Sequence, residues 1–127
     1  MVIIERKFDN SVDKIVACHL IEHFSFIKSG EALREWHRAL KPGGQIILET
    51  PDFLNCCRMF VDADETTRLV LYNNFFAWPD APGQSHYFLF TEYQLASHLI
   101  GAGFDNIGCH QIRSTPKHPI HRGWIPF

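Results

Sequence analysis

Apolar residues recur along this chain with two different periods, and the alternation between the periods sets out its elements. Over 13–18 the run Lys14-Ile15-Val16-Ala17-Cys18 is nearly continuous in apolar side chains, the pattern of a strand buried on both faces, as in parallel sheets. Over 29–41 the spacing changes. Leu33, Trp36 and Leu40 recur at i, i+3 and i+7, with Arg34, Glu35, Arg38 and Lys41 on the opposite face, which predicts an amphipathic helix. Ser29 suits its N-cap, and Glu31 falls in the first turn, where the helix dipole favours an anion. Pro42 keeps Lys41 out of the α region and Gly43-Gly44 tolerate positive φ, so the helix stops there. Residues 45–50 give a second buried-type strand, closed by Pro51. Strand, helix and strand over 8–52 predict one βαβ unit of a parallel sheet.

Helical spacing returns in Phe53, Leu54, Cys57, Phe60 and Val61, and again after Asp64 in Leu69, Tyr72 and Phe76, so two further helices are expected. Residues 77–87, with Pro79, Pro82 and Gly83, read as a loop. Thr91-Glu92-Tyr93-Gln94 is a capping box opening a helix whose Leu95, Leu99 and Ile100 face inward, and Gly101-Ala102-Gly103 ends it. Residues 104–112 read as a strand. The Pro-containing tail holds at most a short edge strand near 120–125, and Val2-Ile3-Ile4 is a short β-prone run at the other end.

Composition narrows the class. A chain of 127 residues, 46% hydrophobic and with eleven Phe, suits a single domain with a proper core. A formal charge of −2 leaves no basic footprint, so nucleic acid is not an expected partner. Four cysteines without a CxxC spacing fit a reduced, intracellular protein. The N-terminal apolar run is too short for a signal peptide, and no stretch reaches the ~20 apolar residues that span a bilayer. The expectation is a cytoplasmic protein with no membrane partner.

Three stretches carry a resemblance: FDNSVDKIVACHLIEHF, with Glu22-His23 shortly after the first strand; ALREWHRALKPGGQIILETPD, with its R-x-L-K-P-G-G turn; and HYFLFTEYQLASHLIGAGFDNI. Together, over about 8–112, they resemble class I S-adenosylmethionine-dependent methyltransferases of the type 11 kind. The resemblance implies an α/β fold, a partial Rossmann-like sheet of mostly parallel strands with flanking helices. Residues 13–18, 45–50 and 104–112 would match the family's fourth, fifth and sixth strands, followed by an antiparallel C-terminal strand. It also implies S-adenosyl-L-methionine as cofactor. The family's Gly-rich turn and the acidic residue ending its second strand have no counterpart here. The only G-x-G, Gly101 to Gly103, ends a helix, so it cannot aim helix N-terminal amides at a ligand. Residues 1–127 are therefore read as a single, incomplete methyltransferase-like domain. The strand at 13–18 would lack its family neighbour, and its apolar edge is expected to be covered by Val2 to Ile4, by a second copy in a homodimer, or by a missing N-terminal half.

In open α/β sheets ligands sit outside the carboxyl ends of the strands. That rule brings Cys18, His19 and Leu20 together with Glu49, Thr50, Pro51 and Asp52. The resemblance implies that Cys18, His19, Leu20, Glu22 and His23 border the cofactor, and that Glu49, Thr50, Pro51, Asp52 and Tyr87 border the methyl acceptor. His86 and His19 are the candidate catalytic residues, a neutral imidazole being able to act as general base. His19-Leu20-Ile21-Glu22-His23 also spells H-x-x-E-H, which holds zinc when both histidines share one helix face. A strand running straight into His19 leaves little helix for that, and no metal is assigned. Two further readings stay open: a non-catalytic dimerising or scaffold remnant, and a metal-binding domain using His19, His23 and other histidines.

Overall fold

A computed structural model describes residues 9–77 and 80–110, together with the backbone of Trp124–Pro126. Strand β1 (Val12–Cys18) is followed by a 3-10 turn (Ile21–His23), helix α1 (Phe26–Ala39) and strand β2 (Leu40–Pro51). Then come α2 (Phe53–Asp62), α3 (Glu65–Phe76), α4 (Glu92–Ala102) and β3 (Trp124–Pro126). β1 and β2 are parallel, with Ile15 opposite Ile46 and Cys18 opposite Glu49, so the expected βαβ unit is present. The backbone of β3 lies antiparallel beside the end of β2; three residues do not show the family's antiparallel closing strand.

The core forms where α1 and α4 pack on one face of this sheet. Leu33 and Trp36 of α1, Leu95 and Leu99 of α4, Ala17 and Leu48 of the strands, and Ile21 and Phe90 from the connections are all buried together. The helices open on side-chain caps. Ser25, Asp52, Asp64 and Thr91 accept from the amides of Lys28, Asn55, Thr67 and Gln94 respectively, and at Thr91 the capping box is complete.

Several boundaries differ from expectation. α1 starts at Ser25, not Ser29, because Ser25 already offers a capping oxygen one turn earlier. Ser29 is buried inside the helix and donates its hydroxyl to the Phe26 carbonyl, and Glu31 consequently lies beyond the first turn. β2 begins at Leu40 and carries the Pro42-Gly43-Gly44 turn within it as a slip in register against β1. Gly43 has φ +78°, and a Cβ on Gly44 would stand 2.8 Å from the Lys41 carbonyl oxygen, so both positions require glycine. β1 is not buried on both faces, since Val16 is 58% exposed. On α3 the stripe Leu69, Tyr72 and Phe76 is exposed, as are Leu54, Val61 and Ile100; on α2 it is Cys56 that is buried. Residues 104–110 form no strand, for no β-ladder partner lies beside them among the described residues. The readings at Val2 to Ile4, 111–112 and 120–123 lie outside the described residues. None of the described helices is long and apolar enough to cross a membrane.

Candidate functional site

The carboxyl ends of β1 and β2 are built by a tight change of direction. The His19 amide continues the parallel ladder by donating to the Glu49 carbonyl at 2.8 Å, after which His19 itself takes φ +53°. A left-handed conformation on a side chain of this size is strained, and such strain concentrates at functional sites. It turns the chain off the sheet and into the 3-10 turn, so Glu22 points back beneath the strand ends. There it is fully buried, and Thr50 at the end of β2 donates its hydroxyl to Glu22 Oε2 at 3.0 Å. Burial pushes the Glu22 carboxyl up to about 7, against the Thr50 hydrogen bond, which acts the other way.

His19 stands between two acids. Its Nε2 is 3.2 Å from Glu49 Oε1, and its Nδ1 is 3.7 Å from Glu22 Oε1. Cys18 is exposed beside them, with its thiol raised by desolvation and by the neighbouring Glu49 carboxylate, so it is not an activated nucleophile. Leu20 is 39% exposed. Pro51 is buried and Asp52 is engaged as the α2 cap, accepting from the Asn55 amide at 3.1 Å.

The 85–88 loop crosses the 3-10 turn and closes one side. Tyr87 N donates to the Glu22 carbonyl at 2.8 Å, while the Tyr87 side chain is 66% exposed. His23 Nδ1 lies 3.0 Å from the Ser85 carbonyl, and His86 Nδ1 lies 2.9 Å from the Asn74 carbonyl. The two imidazoles meet edge to face with centroids 4.8 Å apart. Burial lowers the His86 imidazole from its usual range, which favours the neutral ring.

The sequence-predicted residues 18–23, 49–52 and 86–87 are thus brought to one end of the sheet. The H-x-x-E-H motif is not on one helix: His19 ends the strand and only Glu22 and His23 enter the 3-10 turn. Asn74 and Ser85, whose carbonyls orient the two imidazoles, were not singled out from sequence, because a backbone acceptor leaves no mark on residue type. A polar Asn among the apolar residues of α3 was the one available signal; its side chain is buried and reaches Cys56 Sγ at 3.9 Å. A cleft of about 860 Å³ opens at the opposite end of the sheet, bordered among others by Asn10, His37, Gly43, Gly44 and Phe104. Polar side chains line it as well, among them Asp9, Arg38, Lys41 and Asp105, but none of the sequence-predicted site residues does.

Comparison with known proteins agrees with this architecture. The family model described as "Methyltransferase domain" matches residues 6–48. Among solved structures, a protein from Nostoc punctiforme PCC 73102 described as an O-methyltransferase is 16% identical with a TM-score of 0.60, over 93% of this chain and 31% of its own. A possible exported protein from Bordetella parapertussis is 18% identical with a TM-score of 0.64, over 95% of this chain and 40% of its own. PigF with SAH is 17% identical with a TM-score of 0.55, over 90% of this chain and 29% of its own. The chain thus spans less than half the length of the structures it matches. No curated protein matches it. Residues 6–48 match the methyltransferase-domain model, and over the part they share the chain has the α/β fold of these neighbours.

Proposed function

We propose that this chain forms the methyl-acceptor side of an S-adenosyl-L-methionine-dependent methyltransferase site, with the Gly-rich wall supplied by a complementary segment. The observation that carries the reading is the convergence of His19–Glu49 and Glu22–Thr50 on the carboxyl ends of two parallel strands, within and just beyond the family match. Cofactor and acceptor are not chosen by fold. The residues present fit one wall of a cofactor site: Cys18, His19, Leu20, Glu22 and His23 follow β1, and Glu49, Thr50, Pro51, Asp52 and Tyr87 stand opposite. The cofactor supplies a sulfonium-activated methyl group, and the protein's part is to position donor and acceptor and exclude water. Of the two catalytic candidates, His19 is the better proton acceptor for an acceptor hydroxyl, because Glu49 orients its ring and the pair is reachable from solvent. His86 is turned inward, and its role is to hold the loop that carries Tyr87.

The outer edge of β1, beside which no described strand lies, belongs to the same reading. It is covered by a second copy or by the complementary segment, in a reduced, cytoplasmic setting that suits four free cysteines. The test is an NMR titration of the full chain with S-adenosyl-L-methionine up to millimolar concentration. Shifts concentrated at 18–23 and 49–52 are the expected result. No shifts, or shifts confined to the cleft beside Gly43 and Gly44, would overturn the reading and favour a non-catalytic scaffold.

A further inference from the structure

Next to the His19–Glu49 pair lies a second cluster, which shares Glu22 and His23 with the proposed cofactor wall and adds His86. Glu22, His23 and His86 each place one side-chain ligand atom within 4.8 Å of the other two. The first two sit on the 3-10 turn and the third on the loop strapped across it by the Tyr87 amide. Two features beyond proximity point to a cation. Glu22 Oε2 takes the Thr50 hydroxyl, whereas Oε1 is buried and accepts no hydrogen bond among the described residues, with His19 Nδ1 3.7 Å away. A buried carboxylate oxygen left in that state is costly and needs a reason. The second feature is the orientation of both imidazoles. Each Nδ1 faces a backbone carbonyl, Ser85 for His23 and Asn74 for His86. A carbonyl only accepts, so Nδ1 carries the hydrogen in both rings, and in the neutral imidazole the lone pair is then on Nε2. Metal-ligating histidines are held in this way, the other ring nitrogen donating to a fixed acceptor.

We propose that Glu22, His23 and His86 form a binding site for a divalent first-row transition cation, held by two imidazole Nε2 atoms and Glu22 Oε1. Two nitrogens and one carboxylate favour a zinc-like ion over magnesium or calcium, which take oxygen ligands. Ligand bonds of ~2.0–2.2 Å require donors roughly 3–4 Å apart, against the 4.8 Å within which one ligand atom of each of the three residues already lies. Three protein ligands leave a coordination position open. This set differs from H-x-x-E-H, since His19 is left out and the third ligand comes from a distant loop. It stands whether or not the chain takes part in methyl transfer.

The experiment is calorimetric titration of the chelator-treated full chain with zinc chloride, with bound metal counted by mass spectrometry. The expected result is one equivalent bound, at least ~10-fold more weakly in Glu22→Gln and in His86→Gln, and unchanged in His37→Gln at the opposite end of the sheet. Sub-stoichiometric binding, or binding that neither ligand variant weakens, would overturn the site. Where a variant fails to fold, X-ray absorption on the unaltered zinc-loaded chain decides: two imidazole ligands are expected, and fewer than two refute the assignment.

Discussion

Thr50 and Glu22 share a hydrogen bond that joins the end of β2 to the 3-10 turn, and both are almost wholly out of water. Removing the hydroxyl without changing the shape leaves Glu22 Oε2 buried with no donor. Thr50→Val is expected to cost about 1–3 kcal/mol in chemical denaturation, and Thr50→Ser to restore most of it, because an unmade buried hydrogen bond costs more than a made one gains. A second residue-scale expectation concerns thiols. Cys56 is buried beneath α3, and desolvation pushes its pKa up to about 11. At pH 8 in native buffer it should remain unalkylated by iodoacetamide while becoming fully reactive in denaturant, as read by peptide mass spectrometry. Rapid native labelling of Cys56 would mean that α2 and α3 separate readily. Single residues were the least legible scale in the sequence. His19, Glu22 and Glu49 could be placed at strand ends by topology, but that Glu22 turns inward and His19 outward depends on one left-handed backbone at His19, which residue type alone does not announce.

At the scale of elements, the capping box on α4 gives the cleanest expectation. Thr91 accepts from Gln94 N while the Gln94 side chain returns to the Thr91 amide. Thr91→Ala should therefore lower stability by about 1 kcal/mol, measured as a shift in denaturation midpoint at constant slope. Asp64 caps α3 through the Thr67 amide at 2.7 Å, and that bond holds its carboxyl below the usual range. Its folded pKa lies below the unfolded value, so the contribution is present above the unfolded pKa and lost as pH falls through the folded one. Asp64→Asn should melt lower than the parent near neutrality, and the difference should shrink in strong acid. Both helices were legible because caps and a 3.6-residue period are local. Whether a face is covered is not local. Leu69, Tyr72 and Phe76 share a stripe as the spacing predicts, yet the stripe is exposed, since periodicity says which residues lie together and not what lies against them. Ser25 and Ser29 illustrate the same limit, two equally able caps one turn apart: Ser25 caps α1, while the Ser29 hydroxyl lies inside the helix 3.1 Å from His98 Nε2. At 104–110 the β-prone residues had no strand to pair with, and propensity without a partner makes no ladder.

For the whole molecule, the parallel pair β1 and β2 was legible because a helix between two apolar runs admits few topologies, and the site followed from where such strands end. The cation cluster was not, since its third ligand, His86, comes from the loop after α3, which no local pattern ties to the 3-10 turn. What the topology leaves unbalanced is the other side of β1. The sheet order is β1-β2-β3, so β1 has β2 on one side and no described strand on the other, and Val16 on it is 58% exposed. An apolar strand edge in that position is a template for pairing with another chain. If a second copy or a complementary segment covers it, the full chain should show concentration-dependent sedimentation, and amides at 15–17 should exchange slowly in the associated state. Val16→Lys places a charge on the exposed face without entering the core, and such surface changes usually leave folding stability within about 0.5 kcal/mol. The variant should therefore sediment as a monomer at every concentration while melting where the parent does. A parent chain that is itself monomeric at high concentration, with fast exchange at 15–17, would remove self-association from the account and leave the edge to a partner of different sequence. The same fast exchange surviving in the presence of every methyltransferase segment able to pair with β1 would show that the edge is simply tolerated.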